Sequence, residues 1–343
     1  MRKFLKQLLS PILTRIASNA SDPDRKLVFI SLTKLLHDLK RKKTSRGIIM
    51  KVDFHETPFI IFSDHHKGNK DPSDDFAGNE RNYLSALEYY YTNKFSYINL
   101  GDSEELWKYT PAQVIPKNIT PLKMEDKFRE SNKYIKTFGN HDLTWKNKID
   151  VNKWFKNIFR LPLNVWEGVI LTTSIKNNQL SFFLTHGHQG DRMSDNNALS
   201  TWMVSHLWRP LQRYLQINVN TPAKDFRLRD KHNMMMYDWS SEQKDLVLIT
   251  GHTHKPVFAS GKYKDADDQE LKTTSVNSLE KIPTVKPSYF NSGCCCYNDG
   301  DITGIEISGD HIRLIKWHWL DVENKSNRVV LEEMRLDDLQ REL

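Results

Sequence analysis

Cysteine is scarce in this chain: three residues in 343, all adjacent at Cys294-Cys295-Cys296. An extracellular disulfide framework needs cysteines spaced along the sequence, so this pattern excludes one and points to a reducing compartment. The triplet also lacks a separated fourth ligand for a soft metal site. It reads instead as buried reduced thiols at a strand end, after Tyr289-Phe290-Asn291-Ser292-Gly293. Long apolar runs are missing as well, and a bilayer span needs about 20 residues. No internal repeat and no low-complexity tract is present. What remains is a globular chain with 27% charged and 38% hydrophobic residues, long enough for a large core in one domain or two. Charge is not balanced: the net value is +7 and the pI about 9.0. A basic surface favours anionic ligands, and phosphate substrates, nucleic acid and anionic lipid all stay open.

Against these absences stand five short motifs. They are Asp64-His65-His66, Gly101-Asp102, Gly139-Asn140-His141-Asp142, His186-Gly187-His188 and Gly251-His252-Thr253-His254. Each ends an apolar run: Pro58–Ser63, Phe95–Leu100, Tyr134–Phe138, Leu180–Thr185 and Leu246–Thr250. The brevity of these runs and the glycines that often follow favour buried strands. In layered α/β folds, side chains from separate strands converge where strands end in loops, so the five motifs read as one site.

The residue types define the chemistry. Aspartate offers a hard anionic oxygen able to bridge two cations, asparagine a neutral carbonyl oxygen, and histidine an imidazole nitrogen. A nitrogen and oxygen donor set without thiolate argues for Mn²⁺, Fe or Zn²⁺, with Mn²⁺ ahead, and against Ca²⁺ or an iron–sulfur cluster. Two ions roughly 3.5–4 Å apart clamp a phosphoryl group and neutralise its developing charge. The motifs therefore predict a metal-dependent hydrolase of phosphate esters or anhydrides.

The chain resembles the calcineurin-like metallophosphoesterase superfamily. The pattern D-x-H, G-D, G-N-H-D, H within H-G-H, and G-H-x-H appears in order from residue 64 to residue 254. The resemblance implies a four-layer α/β/β/α sandwich, here with a helical insertion. It implies that Asp64, His66, Asp102 and His254 hold one metal, and that Asp102 bridges to a second held by Asn140, His186 and His252. It further implies a metal-bridging hydroxide as nucleophile. His141 would stand outside the metal shell to contact phosphate or protonate the leaving oxygen, with Asp142 orienting its ring. His65 and His188 receive no role and read as solvated or supporting histidines. Gly101-Asp102-Ser103-Glu104-Glu105-Leu106-Trp107 and Gly251-His252-Thr253-His254-Lys255-Pro256 are also similar to segments of UDP-2,3-diacylglucosamine pyrophosphatases. That narrower resemblance implies a nucleotide-linked or lipid-precursor diphosphate as substrate. The alternatives are a nuclease or protein phosphatase of the same superfamily, or a binding scaffold without catalysis.

Three flanking regions complete the expectations. Residues 1–50 read as a helical extension, with Phe4, Leu5, Leu8, Leu9, Ile12, Leu13 and Ile16 on one stripe beside Arg2, Lys3, Lys6 and Arg15. Such a stripe lies on an anionic membrane or packs on the body of the protein, so the expected location is cytoplasmic, with peripheral contact to the inner membrane face through residues 1–16. A second helix is expected from Asp24 to about Lys40. Residues 51–325 form the phosphoesterase domain, in which 190–245, rich in Trp, Met and Arg, read as a helical cap over the metals. Within the cap, Trp208, Arg209 and Arg213 are the candidate substrate contacts. Ile302–Ile307 and Ile312–Trp317 around Gly309-Asp310 predict a hairpin. Residues 326–343 are expected to be a C-terminal helix, with Leu331, Met334 and Leu339 at roughly helical spacing and Leu336 off the stripe.

Overall fold

The computed structural model describes residues 24–41, 45–190, 226–261, 285–320 and 323–343. Twelve strands lie in the described residues. In chain order they are β1 Gly47–Lys51, β2 Phe59–Phe62, β3 Ser96–Leu100, β4 Tyr134–Thr137, β5 Val165–Trp166, β6 Gly168–Ile175, β7 Asn178–Thr185, β8 Leu246–Thr250, β9 Tyr289–Asn291, β10 Ile302–Ser308, β11 His311–Leu320 and β12 Lys325–Arg335. One sheet runs β1-β6-β7-β8-β9 and the other β12-β11-β10-β2-β3-β4-β5. The main helices are α1 Arg25–Lys40, α2 Glu80–Thr92, α3 Ile119–Glu130, α4 Lys148–Phe155, α5 Phe226–Ser241 and α6 Leu336–Glu342.

The sequence of β2 explains the layering. Phe59 and Ile61 point between the sheets, where they join Ile98, Leu171, Phe182, Leu184 and Ile249. Ile60 and Phe62 point the other way, onto Tyr83, Leu87 and Tyr90 of α2 and Phe128 of α3. Strands covered on both faces read as continuous apolar runs, which is why β2 and β8 carry no alternation of polar and apolar residues. On the far side of the first sheet, Val28, Leu32, Leu35 and Leu39 of α1 and Met236 and Trp239 of α5 pack on Ile170, Phe183 and Leu248. The order of layers is helix, sheet, sheet, helix, as expected. α1 begins where Asp24 Oδ1 accepts from the backbone N–H groups of Lys26 and Leu27, satisfying two of the free donors of its first turn.

This packing redraws the boundaries read from sequence. Helix α1 forms part of the outer layer and β1 pairs in parallel with β6, so residues 25–51 belong to the body of the domain. Of the segment expected to be a cap, residues 226–241 form α5, which lies against the first sheet; Trp208, Arg209 and Arg213 lie outside the described residues, as do residues 1–16. The hairpin at Gly309-Asp310 forms as expected between β10 and β11. The expected terminal helix does not span 326–343. Residues 325–335 form β12, paired antiparallel along β11, and only Leu336–Glu342 are helical. Two physical features decide this. Val329-Val330 favour the pleated backbone. The buried pair of the helix is Leu336 with Leu339, three apart on one face, whereas Leu331 is exposed.

Four strands of the second sheet run parallel, β2 beside β3 beside β4 beside β5, and β7, β8 and β9 run parallel in the first. Their C-terminal ends therefore open on one rim, and every motif sits there. The inter-sheet core fixes the distance across that rim. Phe182→Ala, which removes a fully buried ring from that core, should cost about 3–5 kcal/mol of stability in denaturant unfolding.

Candidate metal centre

The rim backbone is unusual. Asp64, His66, Asp102, His252 and His254 all adopt positive φ, between 49° and 68°. Left-handed non-glycine residues cost on the order of 1–3 kcal/mol each and persist only where the surroundings hold them. Here the hold is visible. The Asp64 N–H donates to Gly101 O at 3.1 Å and the His66 N–H to Asp102 O at 2.9 Å, which extends the β2–β3 pairing past the strands. The Gly251 N–H donates to His186 O at 3.0 Å, which joins the fourth and fifth motifs.

The seven expected ligands come together. Asp102 Oδ2 lies 3.2 Å from His186 Nε2 on one side and 3.8 Å from His66 Nε2 on the other. Asp64 Oδ1 is 3.3 Å from His254 Nε2 and 3.8 Å from His66 Nε2. Asn140 Oδ1 is 3.2 Å from His186 Nε2. Among the described residues, Asp64–His66–Asp102 and Asp102–His186–His252 each bring three donor atoms within 4.8 Å of one another. The two groups share Asp102. Hydrogen bonds on the far side of the rings aim the donor nitrogens inward: His186 Nδ1–H donates to Leu100 O at 2.9 Å, which points Nε2 at the carboxylates. The backbone N–H of His252 donates to Asp64 Oδ2 at 2.8 Å, and Ser63 Oγ–H donates to the same oxygen. Asp64 Oδ1 and His252 Nε2 are left buried without a hydrogen-bond partner. Buried polar atoms are nearly always paired, so these two orphan acceptors, aimed into the donor cluster, fit bound metal.

The charges agree. Burial works against ionised imidazole at His186, but Asp102 and Asp64 outweigh it and push the ring up to about 9. His66 is likewise held well above its usual range, against burial, by Asp64, Glu105 and Asp102. Asp102 sits well below the usual carboxylate range despite burial because His186, His141 and His66 face it. A site that draws protons so strongly holds an excess of anionic and lone-pair density, and the same field draws divalent cations.

His141 stands beside this cluster. Its Nε2 is 4.0 Å from Asp102 Oδ2, its backbone N–H donates to Asp102 Oδ1 at 2.8 Å, and its ring stacks on Trp107 with centroids 4.0 Å apart. The carboxylate that orients it is Glu105, whose Oε2 is 3.0 Å from His141 Nδ1 and 3.3 Å from His66 Nδ1. Asp142 does not fill the role expected of it. Its oxygens accept from the Gly139 N–H at 2.6 Å and the Ser103 N–H at 2.8 Å, so it clamps two motif loops together. Burial, with Asp102 and Glu104 nearby, pushes its carboxyl up to about 7. Sequence reasoning missed Glu105, although it lies in a quoted motif. The signal was its place three residues beyond Asp102, where a strand-end turn returns a side chain to the site. His65 is not solvated: it is fully buried, with Nε2 3.1 Å from the Tyr97 hydroxyl. His188 is also buried, its ring 5.5 Å from that of His186. Sequence reasoning also gave no place to His232 of α5, buried with its ring 5.0 Å from that of His252.

Fold, rim and donor set define a metal-dependent phosphoesterase. The model of the calcineurin-like phosphoesterase family matches residues 57–256, more than half of the chain, and the protein belongs to that family. Among solved structures, a dimetal phosphatase from Danio rerio is similar at 9% identity and TM-score 0.39, covering 80% of this chain and 99% of its own. Vacuolar Protein Sorting 29 from Cryptosporidium parvum is similar at 15% identity and TM-score 0.31, covering 82% and 100%. A 5'-nucleotidase from Candida albicans is similar at 12% identity and TM-score 0.27, covering 85% and 53%. No curated protein sequence matches the chain. No helix among the described residues is long and apolar enough to cross a membrane.

The closeness of the rim gives a direct test. A Cβ added at Gly251 would collide with Ser63 Oγ and the Asp64 Oδ2. Gly251→Ala should displace that carboxylate and weaken metal binding by roughly 10–100-fold, measured by titration of the metal-free protein, with the circular dichroism spectrum unchanged.

Proposed function

We propose that this phosphoesterase hydrolyses its substrate at a two-metal centre. In this reading Asp64, His66, Asp102 and His254 hold one divalent ion, and Asp102, Asn140, His186 and His252 hold the other. The observation that carries the reading is the position of Asp102 Oδ2, between His186 Nε2 at 3.2 Å and His66 Nε2 at 3.8 Å, in two donor groups that share it. Divalent ions bound there would supply Lewis-acid polarisation of a phosphoryl oxygen and acidification of water.

The chain's own residues do the rest. Glu105 accepts from His141 Nδ1–H and Trp107 backs the ring, so His141 Nε2 is aimed at the space beside Asp102. A proton on that nitrogen passes to the leaving oxygen as the phosphorus–oxygen bond breaks. Trp107 Nε1–H donates to Asn140 O at 2.7 Å, which couples the stacked ring to the ligand loop.

Within the class, we favour a nucleotide-linked or lipid-precursor diphosphate. Support comes from the Gly101–Trp107 segment that resembles UDP-2,3-diacylglucosamine pyrophosphatases, because Glu105 and Trp107 of that segment are the two side chains that set His141. The amphipathic stripe of residues 1–16 and the basic, aromatic 191–225 segment fit a lipid-linked substrate by sequence pattern. A nuclease or protein phosphatase is the second reading, favoured only by the net charge of +7. Turnover of a UDP-linked diphosphate well above that of single-stranded DNA and phosphopeptide in one panel supports the first; the reverse ranking replaces it. A scaffold would bind metal and turn over none of them, nor a generic aryl phosphodiester.

Two variants test the roles. Asp102→Ala should lose bound metal and all measurable turnover, and full metal content with near wild-type activity would remove Asp102 from the centre. His141→Ala should keep its metals while the rate falls by about 10²–10⁴-fold, more for poor leaving groups than for good ones. Loss of metal in that variant would make His141 a ligand.

A further inference from the structure

Glu105 does more than aim His141. Its carboxylate is buried, and the two oxygens divide their work. Oε1 accepts from the backbone N–H groups of Trp107 at 3.0 Å and Lys108 at 3.1 Å, which ties the side chain to its own turn, and it lies 3.1 Å from His141 Nδ1. Oε2 lies 3.0 Å from His141 Nδ1 and 3.3 Å from His66 Nδ1. The two rings stand edge to face with centroids 4.5 Å apart, so both Nδ1 atoms reach this one oxygen. Each ring turns its other nitrogen toward the proposed metals. His66 Nε2 is 3.8 Å from Asp64 Oδ1 and 3.8 Å from Asp102 Oδ2, and His141 Nε2 is 4.0 Å from Asp102 Oδ2. An imidazole that binds an ion through Nε2 keeps its proton on Nδ1, and the acceptor of that proton fixes the ring. One carboxylate oxygen has lone pairs for two such donors.

We propose that Glu105 is a shared positioning residue: through one oxygen it holds both the metal ligand His66 and the proton donor His141, so binding of that ion and alignment of the acid depend on the same carboxylate. The inference rests on the two-metal reading. Glutamine at this position separates the two duties. Its single oxygen stays with the main-chain donors of Trp107 and Lys108 and remains in reach of His141 Nδ1. Its NH₂ group takes the place of Oε2 and donates, so His66 Nδ1–H loses its acceptor. The main-chain hydrogen bonds survive, and the turn keeps its shape.

The test is a double-mutant cycle on the full chain with Glu105→Gln, His141→Ala and the pair. Zn²⁺ is titrated calorimetrically into each metal-free protein, and turnover at saturating metal is measured on aryl phosphodiesters with good and poor leaving groups. Glu105→Gln should lower the affinity of one of the two metal positions by about 10–100-fold. It should do so by the same factor with His141 present or replaced by Ala. At saturating metal it should slow poor leaving groups more than good ones, and in the His141→Ala background it should slow neither further. Unchanged metal affinity in Glu105→Gln overturns the proposal and leaves the two-metal reading standing. A third equivalent of Zn²⁺ in the wild type that Glu105→Gln abolishes also overturns it, because His66, Glu105 and His141 would then be a metal site themselves. A wild type that binds no Zn²⁺ overturns both. If Glu105→Gln does not fold, nitrogen NMR of the Zn²⁺-loaded wild type decides the same point: Nδ1 of His66 and of His141 should each carry a hydrogen-bonded proton, and an unprotonated Nδ1 on either ring contradicts the proposal.

Discussion

The two sheets meet chemically at Asp64. Its N–H donates to Gly101 within the second sheet, and its carbonyl accepts from Cys295, on the turn that leads from β9 of the first sheet to β10 of the second. One carboxylate oxygen accepts from the His252 N–H at the end of β8, in the first sheet, and the other has no hydrogen-bond partner. A residue tied from three directions, in a left-handed conformation and with one anionic oxygen left over, is a stressed joint until a cation completes it. The inter-sheet core sets how far apart the rims stand. Asp64 turns that spacing into ligand geometry.

Behind the rim lies a second layer of buried charge that keeps the loops rigid. Lys67 and Lys136 are fully buried and reach Glu125 at 2.5 Å and Glu104 at 3.0 Å. Lys67 also donates to Ser103 Oγ at 2.8 Å, and Trp145 Nε1 donates to Glu104 at 2.7 Å. Such pairs add little net stability, because desolvation offsets attraction, but removing one partner costs about 3–5 kcal/mol. Their effect is positional: the Gly101–Glu105 turn is fixed from below by Ser103 and Glu104, so Asp102 and Glu105 emerge at fixed points on either side. Asp102 then meets the imidazoles of His66 and His186, while Glu105 aligns His141.

Much of this was legible in the sequence because apolar runs and ligand types are local signals. β2, β3, β4, β7 and β8 each end in a motif, and order alone brings Asp64, His66, Asp102, Asn140, His186, His252 and His254 to one rim. Less legible were features decided by tertiary contact. Val329–Arg335 has weak periodicity, and pairing along β11 completes what Val329-Val330 favour locally. Phe226–Ser241 looked like part of a cap, yet Trp239 finds its place on the outer face of the first sheet, with its indole N–H donating to Thr33 of α1. The choice between Asp142 and Glu105 as the partner of His141 depends on how two turns close, which spacing along the chain does not specify.

In the proposed centre one carboxylate, Asp102, lies between two metal positions. Anomalous diffraction from crystals grown with the divalent ion the purified protein retains tests it most directly. Two anomalous peaks are expected roughly 3.5–4 Å apart, one on each side of the Asp102 carboxylate, with Asp64 and His254 near one and Asn140 and His252 near the other. A single peak, or two peaks that do not share Asp102, would contradict it.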